Sequence, residues 1–157
     1  LTCRIPGLEN NSPTRIILDK NLKIPMSSNI LKNSNRYQTI IFYNKSNNKI
    51  DNLKKLRIKV IKSPLDSFGN FDLKKVLLKI KKLGFSRIFL ESGIKLTYNF
   101  LSEKLIDDFK LFISDRKIGS NGRASFKKCM NVYLNNKKFI NEKVNLFGDK
   151  LLTYRLK

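Results

Sequence analysis

A chain of 157 residues with 41% hydrophobic side chains is long enough for a real core and too apolar to stay disordered. No apolar run approaches the roughly 20 residues of a bilayer span, so the chain reads as having no membrane partner. It contains no His, which excludes Ser-His-Asp and Cys-His catalysis within the chain and removes the commonest metal ligand.

The net charge of +21 comes from 33 Lys and Arg against 12 Asp and Glu. A basic surface of this size suggests phosphate or nucleic-acid binding. Against specific nucleic-acid binding, Lys far outnumbers Arg, the charges are spread along the chain, and no aromatic RNA-binding signature or Cys/His finger appears. The joint excess of Lys, Asn and Ile fits the codon usage of an AT-rich genome. The two cysteines, Cys3 and Cys129, lack CxxC spacing. They support neither a zinc thiolate cluster nor a disulfide framework, and read as reduced thiols of a cytoplasmic protein. Hydride transfer suits this inventory, because a cofactor supplies the reactive atom and the protein positions it.

In chain order, Arg15–Asp19 is a short apolar run ending on an acid, and it predicts a buried strand. A polar turn and Leu22–Pro25 follow. Thr39–Tyr43 predicts a second strand and Arg57–Ile61 a third. Asn44–Asn52 has the lowest complexity and reads as an exposed connection or a frayed helix start. Asp72 is placed to cap a helix over Leu73–Leu83, with Leu73, Val76, Leu77, Ile80 and Leu83 on one face and Gly84 at its end. Arg87–Leu90 predicts a strand, and Gly93 opens a helix running to about Glu103 with Leu96, Phe100 and Leu101 inward. Phe109–Ile113 predicts another strand. Asn121–Lys128 is polar without a period. Val144–Phe147 and Leu151–Leu156 predict a hairpin around Gly148-Asp149. Strands alternating with helices and closing on an antiparallel pair describe an α/β domain with a mixed sheet.

Leu90-Glu91-Ser92-Gly93 is the strongest chemical candidate on residue types alone. A strand end, an acid and a glycine-led helix start fall within a few residues. Ligands in open α/β sheets gather at strand carboxyl ends, and the amides of a helix start suit phosphate. The plain alternative is a solvated acid followed by an ordinary turn. Likewise Arg4 is either a phosphate fork or one more basic residue near a terminus.

Taken together, Leu1-Thr2-Cys3-Arg4, Arg15–Asp19 with its polar turn, and Leu90-Glu91-Ser92-Gly93 resemble the reductase domain of the bacterial riboflavin-biosynthesis deaminase/reductases. The resemblance implies a dihydrofolate-reductase-like fold, its front strand and helices missing, with residues 1–157 forming one partial reductase domain. It implies NADPH as cofactor and a phosphorylated small-molecule substrate, 5-amino-6-(5-phosphoribosylamino)uracil, reduced at ribose C1. Leu1 and Arg4 would bind the substrate, Arg4 through its 5′-phosphate, and Glu91 its sugar. Lys20, Gly93, Ile94, Lys95, Leu96, Thr97, Tyr98 and Asn99 would bind the cofactor. No general base is named and no metal site; zinc would belong only to a fused deaminase upstream. A homodimer is the assembly to test.

The chain departs from the family in three places. Ser92 replaces a glycine or alanine, which either narrows the approach or adds a hydroxyl donor. Lys20 replaces a small hydroxyl residue, which suggests a cation for the NADPH 2′-phosphate. Asp115 or Arg116 stands where the family has a Pro, in the turn before Lys117-Ile118-Gly119. The isolated chain is expected to be poorly stable and without turnover. The competing readings are another dihydrofolate-reductase-like NADPH enzyme, a basic nucleic-acid-binding module, and an inactive remnant.

Overall fold

The computed structural model describes residues 2–116, 119, 125–144 and 146–157. Leu1, Lys117-Ile118 and Asn121 through Ala124 of the polar segment lie outside the described residues, as does the Cys129 side chain. The chain divides into two compact units, Leu1–Ser86 and Arg87–Lys157.

The first unit is built on three parallel strands, β1 (Arg15–Leu18), β2 (Thr39–Tyr43) and β3 (Lys59–Lys62), with β2 central. Arg15 is opposite Thr39, and Ile40 is opposite Lys59. Parallel neighbours need crossovers, and short helices supply them: α1 (Asn29–Lys32) after β1 and α2 (Lys49–Lys55) after β2. Their buried leucines, Leu31 and Leu53, join Leu22, Ile41 and Ile58 in one apolar cluster. Side chains alternate along a strand, so Ile40 and Phe42 leave on the face opposite Ile41, and they are buried too. A strand covered on both faces reads as a continuous apolar run, which is why Thr-Ile-Ile-Phe-Tyr is legible in the sequence.

Helix α3 (Leu73–Lys82) follows β3. Asp72 caps it: its carboxylate accepts the Lys75 N–H at 3.0 Å. Leu73, Val76 and Ile80 are buried, as the helical spacing predicts.

The second unit holds α4 (Ile94–Ser102), β4 (Asp108–Ile113), α5 (Lys127–Tyr133), β5 (Phe139–Asn141) and β6 (Lys150–Arg155). Its strands form an antiparallel sheet ordered β4-β6-β5, with Phe109 and Phe139 both opposite Tyr154. The Phe109 and Tyr154 rings lie 6.5 Å apart, and those of Phe139 and Tyr154 5.5 Å apart. Phe109 also stacks on Phe126 at 5.7 Å, so the aromatics here serve packing.

Three expectations need correction. Arg87–Leu90 is not a strand: no described segment pairs with it, and Ile88 and Phe89 are 45% and 76% exposed. An apolar run makes a strand only when a ladder partner is present. The third strand begins at Lys59 instead of Arg57, because Arg57 (φ 58°) and Ile58 close the end of α2. The terminal hairpin joins β6 to Phe139–Asn141. Val144–Phe147, of which Asn145 lies outside the described residues, belongs to the connection, and Phe147 and Gly148 turn the chain with positive φ. Helices α1 and α5 and strand β5 were not legible in the sequence.

Candidate functional site

In the first unit the carboxyl ends of β1, β2 and β3 converge on one edge. Asp19 directly follows β1, and its carboxylate accepts the Ile24 N–H at 2.7 Å, which fixes the polar turn. Leu22, fully buried, takes φ 53° within that turn. The Lys20 carbonyl accepts the N–H groups of Asn44 and Lys45, both at 3.0 Å, so the ends of β1 and β2 are stitched together. Asn44 Nδ2 donates to the Ser63 carbonyl at 3.0 Å, which joins the end of β3. The Lys20 ammonium donates to the Gly69 carbonyl at 2.9 Å. Two buried polar atoms at this edge, Asn21 Oδ1 and Ser63 Oγ, have no hydrogen-bond partner among the described residues. Buried polar groups are paired in almost all folded proteins, so these two atoms keep unused capacity for a hydrogen bond from a ligand or water. Asn21, Asn44 and Ser63 were missed by sequence reasoning; Asn44 and Ser63 directly follow strands, a signal that could have found them, whereas Asn21 lies in the turn three residues past β1.

In the second unit Glu91 and Ser92 are exposed just before α4. Gly93 is the N-cap, with φ −69° and ψ 167°, and it supplies no side-chain cap. The first-turn amides of Ile94, Lys95 and Leu96 have no intrahelical acceptor by construction. No acid stands in that turn, and Lys95 is exposed there, an arrangement that favours an anion. A side chain built on Gly93 would meet nothing within 4 Å, so the approach to these amides is open. Ser92 Oγ and Thr97 Oγ1 hydrogen-bond at 2.9 Å, which ties the segment before the N-cap to the helix. Tyr98 lies edge-on to Tyr133 at 5.4 Å, Asn99 and Leu96 are half-buried, and Phe100 and Leu101 hold the helix to its core.

Arg4 is exposed, and no ion pair engages it among the described residues. Its neighbour is anchored: the Cys3 N–H donates to Ser12 Oγ at 3.0 Å, and Ser12 Oγ donates to the Glu9 carbonyl at 2.6 Å. Arg4 and Lys20 therefore belong to the first unit, and Glu91 with Gly93–Asn99 to the second. Among the described residues no group of His, Cys, Asp and Glu could hold a metal ion. Each unit by itself carries donors suited to phosphates: the Lys20 ammonium and the Arg4 guanidinium in the first, and the open helix start with Lys95 in the second.

Residues 1–151 match the RibD C-terminal domain. The chain belongs to that family. It is 33% identical, over 119 residues, to the riboflavin biosynthesis protein RibD of Aquifex aeolicus (strain VF5), covering 76% of this chain and 32% of that protein. It thus spans about a third of the length of the curated relative it matches. Two solved structures of Acinetobacter baumannii RibD, forms 1 and 2, each superpose with a TM-score of 0.62 at 21% identity, covering 91% of this chain and 37% of theirs. At that identity the likeness shows the fold, and the expected α/β, dihydrofolate-reductase-like class is the one found. Among the described residues no helix is long and apolar enough to cross a membrane.

Proposed function

We propose that this RibD C-terminal domain is an NADPH-dependent reductase of riboflavin biosynthesis, acting within a longer polypeptide on 5-amino-6-(5-phosphoribosylamino)uracil. One observation carries the reading: α4 opens on Gly93 with no side-chain cap, with Lys95 in its first turn and Glu91 two residues upstream of the cap. NADPH, when bound, supplies the hydride that reduces ribose C1. The chain's own residues bind and orient. The amides of the α4 start and Lys95 receive phosphate oxygens, with Gly93–Asn99 as the cofactor segment. Lys20 takes the 2′-phosphate while keeping its bond to Gly69, since an ammonium has three donors. Arg4 grips the substrate's 5′-phosphate bidentately, and Glu91 accepts from sugar hydroxyls. Rate enhancement in this scheme comes from proximity and orientation, so no protein nucleophile or metal is required.

The test is steady-state kinetics of NADPH oxidation on this substrate with Glu91→Gln. The expected result is a loss of roughly 10- to 100-fold in kcat/KM, the size of a lost hydrogen bond from a charged group. Unchanged kcat/KM would remove Glu91 from the site.

A further inference from the structure

We propose that Phe68 is the platform on which the adenine ring of the dinucleotide stacks, beside the Lys20 that takes the 2′-phosphate; this deepens, and rests on, the reductase reading above. Phe68 is 87% exposed, at the tip of a loop that follows β3. An exposed ring on a slack loop would need no explanation, but this loop is fixed from several directions. Leu65 and Phe71 form a bridge across its base, and the Asp66 N–H donates to the Asn70 carbonyl at 2.7 Å. The Asp66 carboxylate accepts the N–H groups of Phe68 at 2.9 Å and Asn70 at 2.8 Å. Gly69 turns the chain at φ 74°, and its carbonyl accepts from Lys20 at 2.9 Å. At the loop's root the Ser63 hydroxyl, 1% exposed, lacks a partner among the described residues.

The Lys20–Gly69 bond thus places an ammonium one residue away from an exposed aromatic ring, on the carboxyl edge of a parallel sheet. Chemistry selects the ligand for that pair. In an adenosine 2′-phosphate the base and the phosphate sit on adjacent carbons of one ribose. A site holding both needs a cation and a flat apolar surface side by side, and a ring on a loop whose backbone is already ordered supplies that surface at a lower ordering cost. Stacking on an aromatic face needs no hydrogen-bond readout of the base.

The chain contains no Trp, so Phe68→Trp installs a single fluorescent reporter. The experiment titrates this variant with 2′,5′-ADP, NADP⁺ and UMP. Calorimetry in parallel follows 2′,5′-ADP and NADP⁺ binding to the wild type, Phe68→Ala and Phe68→Tyr, and thermal melting confirms that the variants fold like the wild type. The expected result is saturable quenching by 2′,5′-ADP and NADP⁺, with binding weakened roughly tenfold in Phe68→Ala and retained in Phe68→Tyr. Wild-type affinity in Phe68→Ala with no quenching in Phe68→Trp would overturn the platform and leave the reductase reading standing. Quenching by UMP and not by 2′,5′-ADP would overturn the adenine assignment. Wild-type protein, in the polypeptide that carries this domain, that binds neither NADP⁺ nor 2′,5′-ADP would overturn both.

Discussion

Arg15 shows how much one side chain organises here. It begins β1 at 4% exposure, and no carboxylate pairs with it among the described residues. Its guanidinium instead donates to Thr39 Oγ1 at 2.6 and 3.1 Å and to the Tyr37 carbonyl at 3.0 Å, and lies 5.3 Å from the Tyr37 ring centre. Burial pushes its pKa below the ordinary guanidinium range, while Tyr37 acts in the opposite sense. The planar fork pins the chain entering β2 to the start of β1, which sets their register. Arg15→Met leaves those acceptors unpaired and should lower the unfolding free energy by about 2–3 kcal/mol. Urea denaturation reads it, and an unchanged midpoint would dismiss the role. Lys20 is the residue-scale test of cofactor choice. Lys20→Ala should raise the KM for NADPH roughly tenfold while leaving that for NADH nearly unchanged. An unaltered NADPH/NADH ratio would show that Lys20 serves only its bond to Gly69.

Helix ends explain much of what the sequence did and did not disclose. Helices α2, α3 and α4 all finish with a left-handed residue followed by a reach-back amide: Ile58 to Leu53, Phe85 to Ile80 and Leu105 to Phe100. Only α3 has glycine at the left-handed position; α2 uses Arg57 at φ 58° and α4 uses Lys104 at φ 54°. Gly84 therefore marked the end of α3, whereas the end of α2 carried no such sign and Arg57 was read into the following strand. Lys104→Gly should relieve the strained backbone and stabilise the fold by about 0.5–1 kcal/mol, read as a higher melting temperature. A lower one would contradict this account of the helix end. At the other end of α3, the Lys75 N–H holds the Asp72 carboxyl below its ordinary 3.8. The folded-state pKa is depressed, so the stabilisation is fully present above about 3.8 and is lost as pH falls through the lower folded value. Asp72→Ala should melt earlier than the wild type at neutral pH, and the gap should close in strong acid. A gap independent of pH would rule out the charged cap. Apolar runs buried on both faces, such as β2, were legible because no environment but the core suits them. Arg87–Leu90 has the same appearance, yet a strand is a property of two segments, and one sequence window cannot supply the second. The acid-glycine helix start at Glu91–Gly93 was legible by spacing, while Asn21 and Ser63 are ordinary residue types whose meaning lies in tertiary burial.

Across the whole molecule, the lysine excess is partly absorbed into the fold. With 33 basic and 12 acidic side chains, most cations lack a carboxylate, and several donate to main-chain carbonyls instead. Lys49 reaches the carbonyls of Leu22 and Ile24, both at 3.0 Å, Lys20 reaches Gly69, and Lys79 reaches Lys62. These bonds brace the edge where the β1 turn, α2 and the loop after β3 meet. The remaining charge should give only weak, sequence-indifferent nucleic-acid binding that disappears as salt rises to roughly 0.2 M. Tight binding to one sequence at that salt would favour a nucleic-acid module over a reductase. The charge has a second use in the enzyme reading, since a positive surface draws polyphosphate ligands towards the site.

The most direct measurement compares NADPH oxidation on the phosphorylated ribosylamino-pyrimidine and on its dephosphorylated counterpart, with wild-type protein and with Arg4→Ala, in the polypeptide that carries this domain. The account predicts that removing the phosphate raises KM roughly 10- to 100-fold in the wild type and scarcely further in Arg4→Ala, because both changes delete one interaction. Equal turnover of both substrates by both proteins, or no NADPH oxidation on either, would contradict it.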